Sequence, residues 1–165
     1  TLRFHPSCWH GPTARTYPAM VALVEGAERS AIHRTYLSPD GSGKADLEGG
    51  NKLMLGGTAG GAVRLASARG SLCVAEGIET ALSLASGLLG RPASHWAALS
   101  TSGLRGLRLP PQPGRLTIAC DGDAAGRDAA HELALQAHGR GWRVSLLPAP
   151  DGADWNDVLR RKVAA

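Results

Sequence analysis

Aromatic side chains are scarce, making up 4% of the 165 residues, with a single Phe. A core built from this chain therefore rests on Leu, Val, Ile and Ala, with the abundant Gly and Pro supplying turns. Few rings also means few platforms on which nucleic-acid bases can stack. Cysteine is limited to Cys8, Cys73 and Cys120, an odd number, far apart and in no Cys-x-x-Cys spacing. That excludes a disulfide framework and a tetrahedral zinc site of the usual spacing, and it suits a reducing compartment. His5, Cys8 and His10 crowd together, but no fourth ligand stands near them, so they read as an incidental surface cluster. No apolar run approaches the ~20 residues needed to cross a bilayer, and no signal-peptide order opens the chain. A soluble, cytoplasmic protein is expected.

What is present is a modest positive balance, 18 Lys and Arg against 14 Asp and Glu, for a formal charge of +4 and a pI near 9.3. This favours an anionic partner but falls short of the basic density of a dedicated nucleic-acid clamp. The length suits one domain, or a small lobe fused to a compact α/β core. With Thr1 in first place, a trimmed segment whose neighbours lie elsewhere is expected. Two nucleotide-binding signatures fail. Gly43-Lys44 has Ser38 where a P-loop needs its first glycine and Ala45 where it needs Ser or Thr, and the Gly56-Gly-Thr-Ala-Gly-Gly61 run opens no strand-to-helix dinucleotide turn. It reads as a flexible turn between strands.

Along the chain, residues 20–24, 31–37, 52–55 and 62–65 read as short strands, and Ser38-Pro-Asp-Gly-Ser-Gly43 as a turn between two of them. Residues 1–68 are therefore expected to form a small β-rich lobe. From residue 69 the character changes. Strands at 72–75, 96–99, 116–120 and 143–147 alternate with helical stripes, Ile78, Ala81, Leu82, Ala85 and Leu88 in one, and Ala125, Ala129, Leu133 and Ala137 in another. The expectation for 69–165 is an α/β fold with a mostly parallel four-stranded sheet flanked by helices, whose ligands gather at the carboxyl ends of the strands.

The acidic residues of interest fall at those ends. Glu76 follows an apolar strand and precedes Gly77; Asp121-Gly-Asp123-Ala-Ala-Gly126 follows another. The two-residue spacing directs both aspartates to one side of an extended chain, where they repel unless a cation lies between them. Mg2+ is a hard ion held by one or two carboxylates plus substrate phosphates, with Mn2+ as the alternative, so this oxygen-only set suits it. Asp and Gly after a strand are also ordinary turn and cap material. The pairing with Glu76 in the same strand-to-helix context is what raises the set above that.

Val74-Ala-Glu-Gly-Ile-Glu-Thr-Ala81 and Ala119-Cys-Asp-Gly-Asp-Ala-Ala-Gly126 resemble the glutamate and paired-aspartate motifs of the Toprim domain. Within that family, Arg3-Phe-His-Pro6, Ala31-Ile-His-Arg-Thr-Tyr36, Gly61-Ala-Val-Arg-Leu65 and Asp154-Trp-Asn-Asp-Val-Leu159 are similar to DNA primases of plasmids, phages and integrated elements. The resemblance implies a Toprim core after a small β-rich lobe and primer synthesis on single-stranded DNA from ribonucleoside triphosphates. It also implies a helicase domain or protein as partner. Glu76, Asp121 and Asp123 would be catalytic and metal-binding, with Asp154 an accessory ligand and Asp157 a weaker one. Arg34 and Arg64, inside family-like stretches, and Lys52 are the expected contacts to nucleotide or DNA; His33, Arg105 and Arg108 are lesser candidates. Replicative bacterial primases carry an acid four positions beyond the motif glutamate, where this chain has Thr80. A Toprim nuclease, or an inactive recruitment module, are the alternatives; a topoisomerase lacks a recognisable tyrosine nucleophile.

Overall fold

The structure, a computed structural model, describes residues 1–164. Two sheets organise it. The first is an antiparallel meander of β1 (Leu2–His10), β2 (Arg15–Val24), β3 (Ala31–Tyr36) and β4 (Lys52–Leu55), hydrogen-bonded in that order. The second has five strands in the order β5-β7-β6-β8-β9, built from β5 (Val63–Ala66), β6 (Ser71–Ala75), β7 (Ser94–Ala97), β8 (Arg115–Ala119) and β9 (Arg143–Leu146). The four strands expected after residue 69 are mutually parallel, as buried, nearly all-apolar segments such as Leu72-Cys-Val-Ala75 favour. β5 joins them as an antiparallel edge, although it precedes residue 69 and was expected in the first lobe.

Between the parallel strands lie α1 (Ile78–Ser83), α2 (Thr101–Arg105) and α3 (Ala124–Gly139), and α4 (Trp155–Val163) follows the last of them. The first helical stripe is shorter than its periodicity predicts: α1 passes into a π-helical turn over Leu84–Leu88, where Gly87 takes φ 125° and breaks the helix. The stripe of α3 holds for Ala129, Leu133 and Ala137, buried against Leu116 and Ile118 of β8, whereas Ala125, in the first turn, is exposed. No helix of the described residues is long and apolar enough to cross a membrane.

The two sheets share a core. Ala22, Val24 and Ala31 of the first pack with Val63, Cys73, Ala75 and Ile78 of the second. Because strand residues alternate between faces, this fixes the inward face of β3 as that of Ala31, His33 and Thr35, all buried, and the outward face as that of Ile32 and Arg34. Glu25 and Ala62 pair between the two sheets, each N–H donating to the other's carbonyl at 2.9 Å.

Candidate active site

Glu76 stands immediately after β6, and Asp121 and Asp123 follow β8 by two and four residues; β6 and β8 are parallel neighbours, so their carboxyl ends lie together. The backbone at Glu76 is held from the next strand. The N–H of Leu99 donates to the Glu76 carbonyl at 2.7 Å, and Leu99 sits at φ 76°, a left-handed conformation that costs a non-glycine residue on the order of 1–3 kcal/mol.

Opposite, the aspartate loop is locked to the loop that precedes α4. Gly122 N–H donates to Ala153 O at 2.8 Å and Gly152 N–H to Gly122 O at 3.0 Å. A Cβ at residue 122 would lie 1.9 Å from Pro150 O, so only glycine permits this approach. The consequence is a cleft of about 260 Å³ lined by Asp121, Gly122, Asp123, Gly152, Ala153, Asp154 and Asp157.

Each acidic residue has a distinct setting. Asp123 caps α3, its Oδ1 accepting from Gly126 N–H at 2.7 Å. Asp154 caps α4, accepting from Asp157 N–H at 2.8 Å, while Asp157 Oδ2 accepts from Asp154 N–H at 3.3 Å, a capping box. Asp121 accepts from the Thr80 hydroxyl at 3.4 Å. Burial first, then the charges of Asp154 and Asp123, push the Asp121 carboxyl above its usual range. Burial, then Asp121 and Asp123, do the same to Glu76. These are half-buried carboxylates that repel one another across a shared space.

Among the described residues, no three His, Cys, Asp or Glu side chains converge into a complete ligand set. An open arrangement of oxygen donors is nevertheless what Mg2+ accepts, because it retains water and substrate oxygens in its shell and rarely uses an all-protein cage. The mutual repulsion of Glu76 and Asp121 is the physical sign that the pair suits a cation.

Of the expected phosphate-binding cations, only Lys52 is brought to this cluster. Its ammonium lies 3.4 Å from Glu79 Oε1 and its charge lowers the carboxyl pKa of both Glu76 and Asp121. Arg34 occupies the opposite face of β3, donating to the Trp9 carbonyl at 3.1 Å. Arg64 lies over the Trp96 ring at 4.5 Å and 3.8 Å from Glu25. Neither faces the carboxylates. Arg108 pairs with Glu28 at 2.5 Å and Arg105 with Glu132 at 2.8 Å, although the Arg105 charge still reaches Glu76. His33 is buried beside Lys52, Glu79 and Lys44, too enclosed to meet a template.

Sequence reasoning passed over Lys44 as anything but a failed P-loop. Its ammonium meets Glu79 Oε1 at 2.5 Å, so Lys44 and Lys52 together tie the first lobe to α1, three residues beyond Glu76. The only sequence signal was Glu79 itself, an acid one position before the family's missing one.

Residues 71–165 match the family model of the Toprim domain. The chain belongs to the Toprim family. Residues 1–65 match a second family, described as a domain of unknown function (DUF7146). No curated protein matches the sequence. Among solved structures, the Toprim chain is similar to a DNA primase domain from Pseudomonas aeruginosa, at 22% identity over 96% of this chain and 52% of that one, with a TM-score of 0.50. It is also similar to the RNA polymerase domain of the Mycobacterium tuberculosis primase DnaG, at 19% identity over 98% of this chain and 59% of that one, with a TM-score of 0.51. The likeness is one of fold, α/β with a small β sheet before the Toprim core, and the chain spans just over half the length of the primase domains it matches.

Proposed function

We propose that this chain is the catalytic part of a DNA primase of the plasmid or phage kind, making RNA primers on single-stranded DNA from ribonucleoside triphosphates. One observation carries the proposal: Glu76 and Asp121 share a repulsive, half-buried space with Asp123 and Asp154, and Lys52 leans over it from a separate lobe. An acidic centre overlooked by a cation suits a reaction in which phosphate oxygens must be held and neutralised.

Asp121 and Asp123 would hold Mg2+ or Mn2+, with Glu76 and Asp154 as further ligands. When bound, the ion supplies charge neutralisation at the reacting phosphate and favours deprotonation of the attacking hydroxyl. The residues of the chain do the rest. Glu76, its proton affinity raised by burial and by its acidic neighbours, accepts the proton of the nucleotide 3′ hydroxyl. Thr80 donates to Asp121 and orients it, the part left to a neutral side chain where other primases carry an acid. The 3′ oxygen bonds to the α-phosphorus of the triphosphate that Lys52 faces, the α–β phosphoanhydride bond breaks, and pyrophosphate leaves. Arg34 and Arg64 are given no part in this step. Residues 1–68 and 69–165 are proposed as the two working units, with β5 as the strand by which the first is tied into the sheet of the second. A helicase is the expected partner.

The test is primer synthesis on mixed-sequence single-stranded DNA with four ribonucleotides and Mg2+, comparing the native chain with Asp121→Asn. RNA that disappears in the variant supports the proposal. DNA breakdown without added nucleotides would replace it with the nuclease reading. An inactive recruitment module is favoured by Thr80 and by Asn156, neutral where related primases carry acids; it requires that Mg2+ change neither stability nor activity of either protein.

A further inference from the structure

The glycine-rich run at residues 56–61 opens no dinucleotide turn, but it borders a cavity. Beyond the carboxyl end of β7, between that run and α2, lies a recess of about 390 Å³ whose walls include Met54, Thr58, Ala98, Ser100, Ser102 and Arg108. Its size falls in the range of small-ligand sites, and the carboxyl ends of parallel strands are where such ligands gather. The walls are tied together. Arg108 N–H donates to Gly60 O at 3.0 Å, Gly61 N–H to Thr58 O at 3.0 Å, and Ser100 Oγ accepts from Gly103 N–H at 3.0 Å. Gly60 takes φ 75°, and a Cβ there would lie 2.8 Å from the Arg108 side chain, so glycine lets the run close on that arginine.

Two independent registers set this recess beside the carboxylates. β6 and β7 run parallel with Ala75 opposite Ala97, so the segment that follows β7 lies level with Glu76. Ala98 N–H donates to Ala75 O at 2.9 Å, and the left-handed Leu99 donates to Glu76 O at 2.7 Å. The residues before and after Leu99, Ala98 and Ser100, both line the recess. From the first lobe, Met54 stands two residues beyond Lys52 on β4. They pair with His33 and Thr35 and so share the inward face, at a spacing of ~7 Å along the strand. A ligand whose phosphates met Lys52 would carry its next atoms into the recess.

The lining is close to neutral. Arg108 is its one charged residue, and it is paired with Glu28 at 2.5 Å. What remains is the hydroxyls of Thr58, Ser100 and Ser102, each able to donate and to accept, and the thioether of Met54, whose sulfur accepts from Thr58 Oγ1 at 3.2 Å. Phosphate groups call for cations, so this set suits the other end of a nucleotide: hydroxyls for the sugar and base edges, and a polarizable sulfur for the ring. We infer that the recess receives the sugar and base of the incoming ribonucleoside triphosphate, with its phosphates lying toward Lys52 and the carboxylates. The inference rests on the primase reading for the identity of the ligand. It gives Met54, Ser100 and Ser102 a task in holding the nucleoside, which none of them has in the phosphoryl-transfer step.

The chain holds two methionines, Met20, packed against the core between the sheets, and Met54, 41% exposed at the recess. With 13C-methyl methionine in the full chain, NMR therefore follows one reporter and one internal control. ATP and tripolyphosphate, which has the phosphates but no nucleoside, are titrated separately in the presence of Mg2+. ATP is expected to shift the Met54 methyl resonance and leave Met20 in place, and tripolyphosphate to move neither. Met54→Ala and Ser102→Ala should each weaken ATP binding by about 2- to 10-fold and leave tripolyphosphate binding unchanged. An equal Met54 response to both ligands, variants that bind ATP like the native chain, a native chain that binds no ATP, or a Met54 response to oligothymidylate but not to ATP would overturn the assignment. Primer synthesis by the native chain, assayed in parallel, separates the two ideas. A Met54 shift specific to ATP without any primers keeps the recess and removes the primase reading, whereas primers made with no Met54 response do the reverse.

Discussion

Acidification is expected to destabilise this protein in part through His33. Burial first, and then the neighbouring charge of Lys52, push its pKa from 6.5 down to about 4, against a smaller opposing pull from Glu79. The unfolded chain therefore takes up a proton near pH 6.5 that the folded chain refuses until about pH 4. Stability is whole above the unfolded pKa and is lost as pH falls toward the folded one. Between pH 7.5 and pH 5 the two-state expression with these values gives a loss of about 2 kcal/mol. For a chain of this length that is a fall of about 4–8 °C in Tm. Glu76 and Asp121, whose pKa values are raised, act in the opposite sense and gain stability as pH falls, so the total profile mixes signs. The difference between native protein and His33→Leu isolates the histidine. His33 Nδ1 makes no hydrogen bond, so an apolar replacement forfeits none there. Urea unfolding at pH 7.5 and pH 5 should show the native chain losing about 2 kcal/mol more than the variant. Equal pH dependence in the two proteins would refute the argument.

Other perturbations test the site. Asp121→Asn should lower primer synthesis by more than about 100-fold, since several kcal/mol of charge stabilisation are removed. The same variant should raise the metal-free Tm by relieving repulsion and abolish the added stability that Mg2+ gives the native chain, both read by thermal unfolding. Gly122→Ala puts a methyl group 1.9 Å from Pro150 O and should cost about 1–3 kcal/mol, measured by urea unfolding. Asp154→Ala removes the cap of α4 and should cost about 1 kcal/mol. It also removes the largest acidic neighbour of Asp121, so the Asp121 pKa should fall when followed by NMR titration.

The parallel strands were legible because runs such as Leu72-Cys-Val-Ala75 are apolar on both faces, and the placement of Glu76, Asp121 and Asp123 at strand ends was legible with them. β1 was not. Arg3, His5, Pro6 and Ser7 dilute its pattern, and they do so because it is a bulged edge strand with most of its residues in solvent. α2 was missed because Gly103 and Gly106 argue against a helix; Gly103 is required because a Cβ there would lie 1.9 Å from Ala98 O. β5 was misplaced since short alternating strands carry no mark of the sheet they join. Which of Arg34 and Lys52 would face the carboxylates depended on strand register, where a shift of one residue exchanges the faces, and composition does not encode it.

β5 makes the two lobes hard to part. A Toprim core excised at residue 69 would lose the strand whose backbone covers β7, from Val63 against Ala97 to Ala66 against His95. It would also strip Val63 from the buried cluster that holds Cys73, Ala75 and Ala97. The cut would convert an interior strand into an open edge, the template on which chains aggregate. A fragment intended for crystallisation or assay would need to begin upstream of β5, in the glycine-rich turn that was at first sight only a spacer.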